Sequence, residues 1–158
     1  NSGLQNQAPL YWSNKPTGPG KLLVDPNLLA KDGTVSLQSV SVSRDGKLLA
    51  YAVSSAGSDW QEIRLRDVTT GNDLPDVVHW VKFSTPEWNA DGTGFWYSRY
   101  DKPDAGKSLT NINKHQELYF HTVGVHEATD DVVLQAGDGG AALPVAHEGR
   151  GLARHRQA

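Results

Sequence analysis

The sequence of 158 residues contains no cysteine. That excludes disulfide staples and thiolate metal sites and leaves the redox compartment open. No apolar run approaches the ~18 residues of a membrane-spanning helix, and the N-terminus shows no basic-then-apolar leader. The expected location is therefore cytoplasmic, or periplasmic if a leader has been removed. The formal net charge is −3, so neither nucleic acid nor a membrane is expected as a partner. No G-x-S-x-G occurs, so no local signal marks a hydrolase nucleophile and no catalytic residue is assigned. No stretch of a dozen residues sustains a 3.6-residue period, which predicts little helix.

What the chain does contain is a repeat. Ser43-Arg44-Asp45-Gly46-Lys47-Leu48-Leu49-Ala50-Tyr51 is echoed by Asn89-Ala90-Asp91-Gly92-Thr93-Gly94-Phe95-Trp96-Tyr97, with the two Asp-Gly pairs 46 residues apart. Behind each copy a second element recurs, Gln61-Glu62-Ile63-Arg64-Leu65-Arg66 and then Gln116-Glu117-Leu118-Tyr119-Phe120-His121. A period in the forties, made of short strands and tight turns, is the pattern of a β-propeller blade. The fold class is therefore all-β: a partial propeller of antiparallel blades.

Short strands are expected at Leu10–Trp12 and Lys21–Val24, the second stopped by Asp25-Pro26-Asn27 because proline lacks the ladder donor. One helical turn is expected around Leu28-Leu29-Ala30. From Thr34 to Ser43 apolar residues alternate with polar ones, but the phase slips between Leu37 and Val40, which predicts a bulge. Asp45-Gly46 predicts a hairpin, returning through Leu48–Val53. Further strands are expected around Ile63, Leu65 and, after a slip, Val68, from Val77 to Phe83, from Phe95 to Tyr100 and from Glu117 to Val123. β-branched and aromatic residues dominate these runs.

Several motifs fail on inspection. Ala105-Gly106-Lys107-Ser108 resembles the end of a phosphate-binding loop, but position 101 is Asp where that loop requires Gly. His147-Glu148 begins like H-E-x-x-H, but position 151 is Gly. His115, His121 and His126 are close in sequence, yet on an unbroken strand His115 and His121 would stand about 20 Å apart, too far for one metal. No metal site and no cofactor is expected. Trp60, Trp80, Phe83 and Trp88 are candidates for a substrate-facing aromatic set, with packing between blades as the commoner use of such residues.

Taken in order, many segments resemble the prolyl oligopeptidase family of serine peptidases. They include Gly3-Leu4-Gln5-Asn6-Gln7, Leu23-Val24-Asp25-Pro26-Asn27, Asp32-Gly33-Thr34 and Asp45-Gly46-Lys47-Leu48-Leu49-Ala50-Tyr51. Ser58-Asp59-Trp60, Leu74-Pro75-Asp76, Val81-Lys82-Phe83-Ser84, Asp91 to Tyr100 and Glu117-Leu118-Tyr119-Phe120-His121 complete the series. The resemblance favours prolyl oligopeptidase proper over its dibasic-cleaving relatives. It implies a seven-bladed propeller above an α/β-hydrolase domain, of which this chain would be about two to two and a half blades. The propeller of that family limits access, so that short proline-containing peptides reach a Ser-Asp-His triad that cuts after proline. It also implies two supporting roles: Phe83 as an aromatic lining the substrate pocket from above, and Asp59 as the partner of a substrate-contacting arginine in the hydrolase domain. That domain is missing from this sequence, so the chain alone is expected to be inactive. The alternative is a non-enzymatic, β-propeller-like binding or self-assembling module.

The resemblance covers residues 1–135, taken as the propeller domain. Residues 136–158 are Gly-, Ala-, Arg- and His-rich, with no aromatic residue. Such a segment buries too little apolar area to offset an ordering cost of roughly 1–2 kcal/mol per residue. It is expected to be a disordered or non-native tail, from truncation or a shifted reading frame.

Overall fold

The two Asp-Gly pairs make the same turn by the same means. Gly46 and Gly92 sit at φ 73° and 72°, a region open to glycine because it has no Cβ. The Asp45 carboxylate accepts from the Lys47 N–H at 3.1 Å and from Ser43 Oγ at 2.7 Å. The Asp91 carboxylate accepts from the N–H and the Oγ1 of Thr93 at 3.1 and 2.7 Å. Each turn starts a sheet, as a computed structural model of the chain shows for residues 7–30, 33–55, 57–104, 115–137 and 140–144.

The first sheet is β3 (Val35–Val42), β4 (Leu48–Ser55), β5 (Gln61–Asp67) and β6 (Asp73–Val81), each antiparallel to the next. The second is β7 (Glu87–Trp88), β8 (Gly94–Arg99), β9 (Glu117–Thr122) and β10 (Asp131–Gly137), with β11 (Gly140–Pro144) added outside β10. One pair, Val81↔Arg99, joins the two sheets. A separate ribbon of β1 (Leu10–Trp12) and β2 (Lys21–Val24) leads into α1 (Pro26–Leu29). These are two successive blades and a remnant beside the first, the partial propeller that the repeat predicts.

Local chemistry explains the boundaries. Asp25 caps α1, its carboxylate accepting from the Asn27 N–H at 3.0 Å, with proline at the first helical position where a missing N–H does no harm. The expected bulge in β3 falls between Leu37 and Ser39. β6 begins at Asp73, four residues earlier than the sequence suggested. Pro75 is tolerated there because it lies where the β5–β6 register slips, between the pairs Arg64↔Val77 and Arg66↔Asp73. Val68 is buried in the turn after β5 rather than in the strand. The boundary expected at residue 135 falls inside β10, and β11 lies in the segment read as a tail; residues 145–158 are outside the described residues.

The core is double. Leu49, Tyr51 and Val53 of β4 face the β1–β2 ribbon with Leu23, Val24, Val35 and Val68. Ala50 and Ala52, on the opposite face of the same strand, join Ile63, Leu65, Val78, Val81, Phe95 and Tyr97 between the blades. Strand alternation sends large side chains one way and alanines the other. The small alanines let the second blade approach closely. Trp88 belongs to this seam: its indole N–H donates to the Ser41 carbonyl at 3.0 Å and its ring meets Phe95 edge-on.

Candidate functional site

One end of the first blade gathers several aromatic residues that do not serve the core. Gln61 pairs with Val81 at the last register position of β5 and β6. Asp59 lies two residues before that pair and Phe83 two residues after it, so the register brings both to the same end of the sheet. Asp59 is exposed and makes no hydrogen bond or ion pair among the described residues. Phe83 is 75% exposed.

The backbone around Phe83 is unusual. Trp80 and Phe83 occupy φ values of 62° and 52°. For residues with a Cβ the left-handed region costs roughly 1–2 kcal/mol each, and it persists only where the surroundings impose it. Here they do. The Trp80 carbonyl accepts from the Tyr100 N–H at 3.0 Å, and Ser84 Oγ accepts from the Ser98 N–H at 2.8 Å. The Trp80 ring meets Trp60 edge-on, centroids 5.7 Å apart, and Trp60 meets Tyr100 in the same way at 6.2 Å. Lys82 is buried, its ammonium 3.9 Å from the centroid of Trp60. A cation over an indole face contributes about 2 kcal/mol when desolvated. Side chains on either side of Phe83 are therefore tied inward while its own ring is turned out to solvent. Two open clefts, of about 200 and 240 Å³, flank Trp80.

This end holds aromatic surface, a cation engaged with a ring and an exposed carboxylate, which suits binding and orientation. Among the described residues no three histidine or acidic side chains converge in a way that could hold a metal ion. The three histidines weighed as a group are apart in role. His115 lies before β9 and is exposed, His126 caps a 3₁₀ turn at Glu127–Thr129, and His121 is fully buried between the blades. Of the four aromatic candidates, Trp60 and Trp80 form the supporting cluster, Phe83 projects from it, and Trp88 is inter-blade packing. The phosphate-loop-like segment at 105–108 and His147-Glu148 lie outside the described residues.

Sequence reasoning missed Lys82 and Tyr100 as members of this cluster. Lys82 carries no signal, since a lone lysine between apolar residues reads as a solvated side chain. Tyr100 carries none either: only the pairing of β6 against β8, in which Val81 faces Arg99, places residue 100 beside Trp80.

Comparison with known proteins follows the same line. Residues 1–143 match the family model described as prolyl oligopeptidase, N-terminal β-propeller domain. A prolyl endopeptidase of Elizabethkingia meningoseptica is 39% identical over 134 residues, covering 85% of this chain and 19% of that protein. The dual function macrocyclase-peptidase POPB of Galerina marginata is 36% identical over 155 residues, covering 85% of this chain and 21% of its own length. Among solved structures, prolyl oligopeptidase B from Galerina marginata bound to a 35mer hydrolysis and macrocyclization substrate superposes with a TM-score of 0.77 at 34% identity, covering 87% of this chain and 22% of that one. The chain thus spans about a fifth of the length of the curated relatives it matches.

Proposed function

Because this chain belongs to the prolyl oligopeptidase family, within its N-terminal β-propeller domain, we propose that its Trp80–Ser84 end forms part of the wall above the substrate channel of a serine peptidase. That peptidase hydrolyses short peptides after proline, and the propeller limits which peptides reach it. Phe83 supplies an apolar face to the bound peptide. Asp59, exposed at the same end, receives a substrate-contacting arginine from the catalytic domain. Nucleophile, base and oxyanion hole come from that domain, and they carry nearly all of the rate enhancement. The 158-residue chain by itself is inactive.

The observation that carries this reading is the conformation of Phe83. A bulky residue held in the left-handed region and turned out to solvent does nothing for the core, and strain of this kind collects at ligand-contacting positions. The first test uses the purified chain with a Gly-Pro reporter substrate, from which no product is expected; release above a buffer control overturns the inactivity. The second replaces the matching part of the Elizabethkingia meningoseptica enzyme with this chain. Phe83→Ala in that chimera is expected to raise KM about tenfold, equivalent to about 1.4 kcal/mol of lost contact. Unchanged kinetics would remove Phe83 from the substrate wall.

A further inference from the structure

Both blades carry the same three-residue device, and the second copy differs in one respect. In the first blade the Tyr51 hydroxyl on β4 donates to Asp73 Oδ1 at 3.0 Å. Arg66 on β5 grips that carboxylate with Nε at 2.6 Å and Nη2 at 3.0 Å. Arg66 Nη1 also donates to the Leu23 carbonyl of β2, tying the blade to the ribbon before it. In the second blade the Tyr97 hydroxyl on β8 donates to Asp130 Oδ2 at 2.6 Å. His121 on β9 meets Asp130 Oδ1 through Nδ1 at 2.8 Å, and its Nε2 reaches Asp76 Oδ1 on β6 of the preceding blade at 3.0 Å. Tyrosine on the second strand, a cation on the third and aspartate at the start of the fourth recur, and each time the cation reaches back one layer. The sequence echo already aligns Tyr51 with Tyr97 and Arg66 with His121.

We infer that the second device is a proton-dependent latch between the two blades, closed by a doubly protonated His121 and loosened when the ring loses a proton. With both carboxyls ionised, the geometry requires two donors, because both ring nitrogens face carboxylate oxygens, and a neutral imidazole has one N–H. The groups facing the ring are Asp76 from β6, Asp130 from the segment before β10 and, through Asp130, the Tyr97 hydroxyl from β8. Phe95 packs on the ring at 5.2 Å between centroids. Arg99 of β8 and Glu127 of the 3₁₀ turn act on Tyr97 from further out. Asp76 is the under-satisfied side of the arrangement. Its Oδ1 accepts from His121 and from the Gly124 N–H at 2.6 Å, whereas Oδ2 is buried without a hydrogen-bond partner among the described residues. Losing the imidazole N–H leaves this buried carboxylate with a single donor. The first blade has no such weakness, since Arg66 stays charged at every accessible pH.

Burial pushes the imidazole down, but the hydrogen bonds and charges of Asp130 and Asp76 outweigh it and hold His121 above the ordinary 6.5. A histidine raised on folding stabilises fully below its unfolded value, and that stabilisation is lost as pH rises through the folded value. The latch therefore holds on the acid side of 6.5 and weakens on the alkaline side.

Histidine-selective ¹⁵N NMR of the full chain tests this directly. At pH 6.5 both His121 nitrogens are expected to show the protonated pattern, with the ring titrating above 6.5 and the thermal midpoint falling as pH is raised towards 9. Asp76→Asn, nearly isosteric, is expected to move the His121 titration back towards 6.5 and to flatten that slope. A single-tautomer pattern at pH 6.5, a titration at or below 6.5, or an Asp76→Asn slope equal to that of the parent chain would each overturn the latch.

Discussion

Gly94→Ala is the sharpest test of how the second blade is built. Gly94 opens β8 and pairs with Thr122 of β9. A Cβ there would lie 2.2 Å from the His121 carbonyl oxygen and 2.5 Å from Cζ of Phe120. The ring can swing aside, but the carbonyl is part of the β8–β9 ladder, so the strands would have to part. Overpacking of this kind costs about 1–3 kcal/mol, and each ladder hydrogen bond lost adds about 1 kcal/mol. We expect a loss of about 3 kcal/mol or more, or a fall in melting temperature of about 10 °C for a chain of this size. Gly46→Ala is the control: the site is at φ 73° with nothing within 4 Å of the added Cβ. It should lose only about 1 kcal/mol, the strain of a left-handed alanine. Urea denaturation of both variants measures the difference through the midpoint at constant m. The double change Gly94→Ala with Phe120→Leu removes the ring and leaves the carbonyl. If that double change regains the stability of Phe120→Leu alone, or if Gly94→Ala costs no more than Gly46→Ala, the carbonyl is not the obstruction and the reasoning fails.

Three further outcomes can be checked. Ala52→Leu inserts a large side chain into the seam between the blades and should cost about 1–3 kcal/mol in chemical denaturation, whereas Ser55→Leu at the exposed end of β4 should change little. Tyr97→Phe should destabilise more than Tyr51→Phe, because Asp130 is fully buried while Asp73 is partly exposed and keeps its two bonds to Arg66; matched thermal melts decide it. Burial pushes Asp73 up, but hydrogen bonds from Arg66 and Tyr51 outweigh it and hold the carboxyl below the ordinary 3.8. Its contribution is present above 3.8 and is lost as pH falls below that value, so Asp73→Asn should show a shallower stability loss between pH 4 and 2 than the parent chain.

The strands were legible because their pattern is local. Asp45-Gly46 and Asp91-Gly92 announce their turns, the slip after Leu37 announces the bulge, and the spacing of the echo announces two blades. The start of β6 was not legible, since Pro75 reads as a strand breaker unless the strand on its other side is known to slip register. The candidate site was legible only as a set of names. Phe83 and Asp59 could be named by resemblance, but that both lie beyond Gln61↔Val81 is a fact of pairing across a sheet. That Trp80 is held left-handed involves the Tyr100 N–H, twenty positions downstream. His121 shows the limit most clearly: sequence proximity grouped it with His115 and His126, while its partners, Asp76 and Asp130, come from a different blade and a different turn. The alignment of His121 with Arg66 was the signal that could have found it.

β4 deserves a last consequence. Its two faces belong to different cores, Leu49, Tyr51 and Val53 to one and Ala50 and Ala52 to the other. A strand shared in this way cannot leave one core without opening the other, so the ribbon, the first blade and the inner face of the second should melt as one cooperative unit. Amide exchange along β4 would then be governed by global opening and would be the slowest in the chain, with β10 and β11 exchanging through smaller, local excursions.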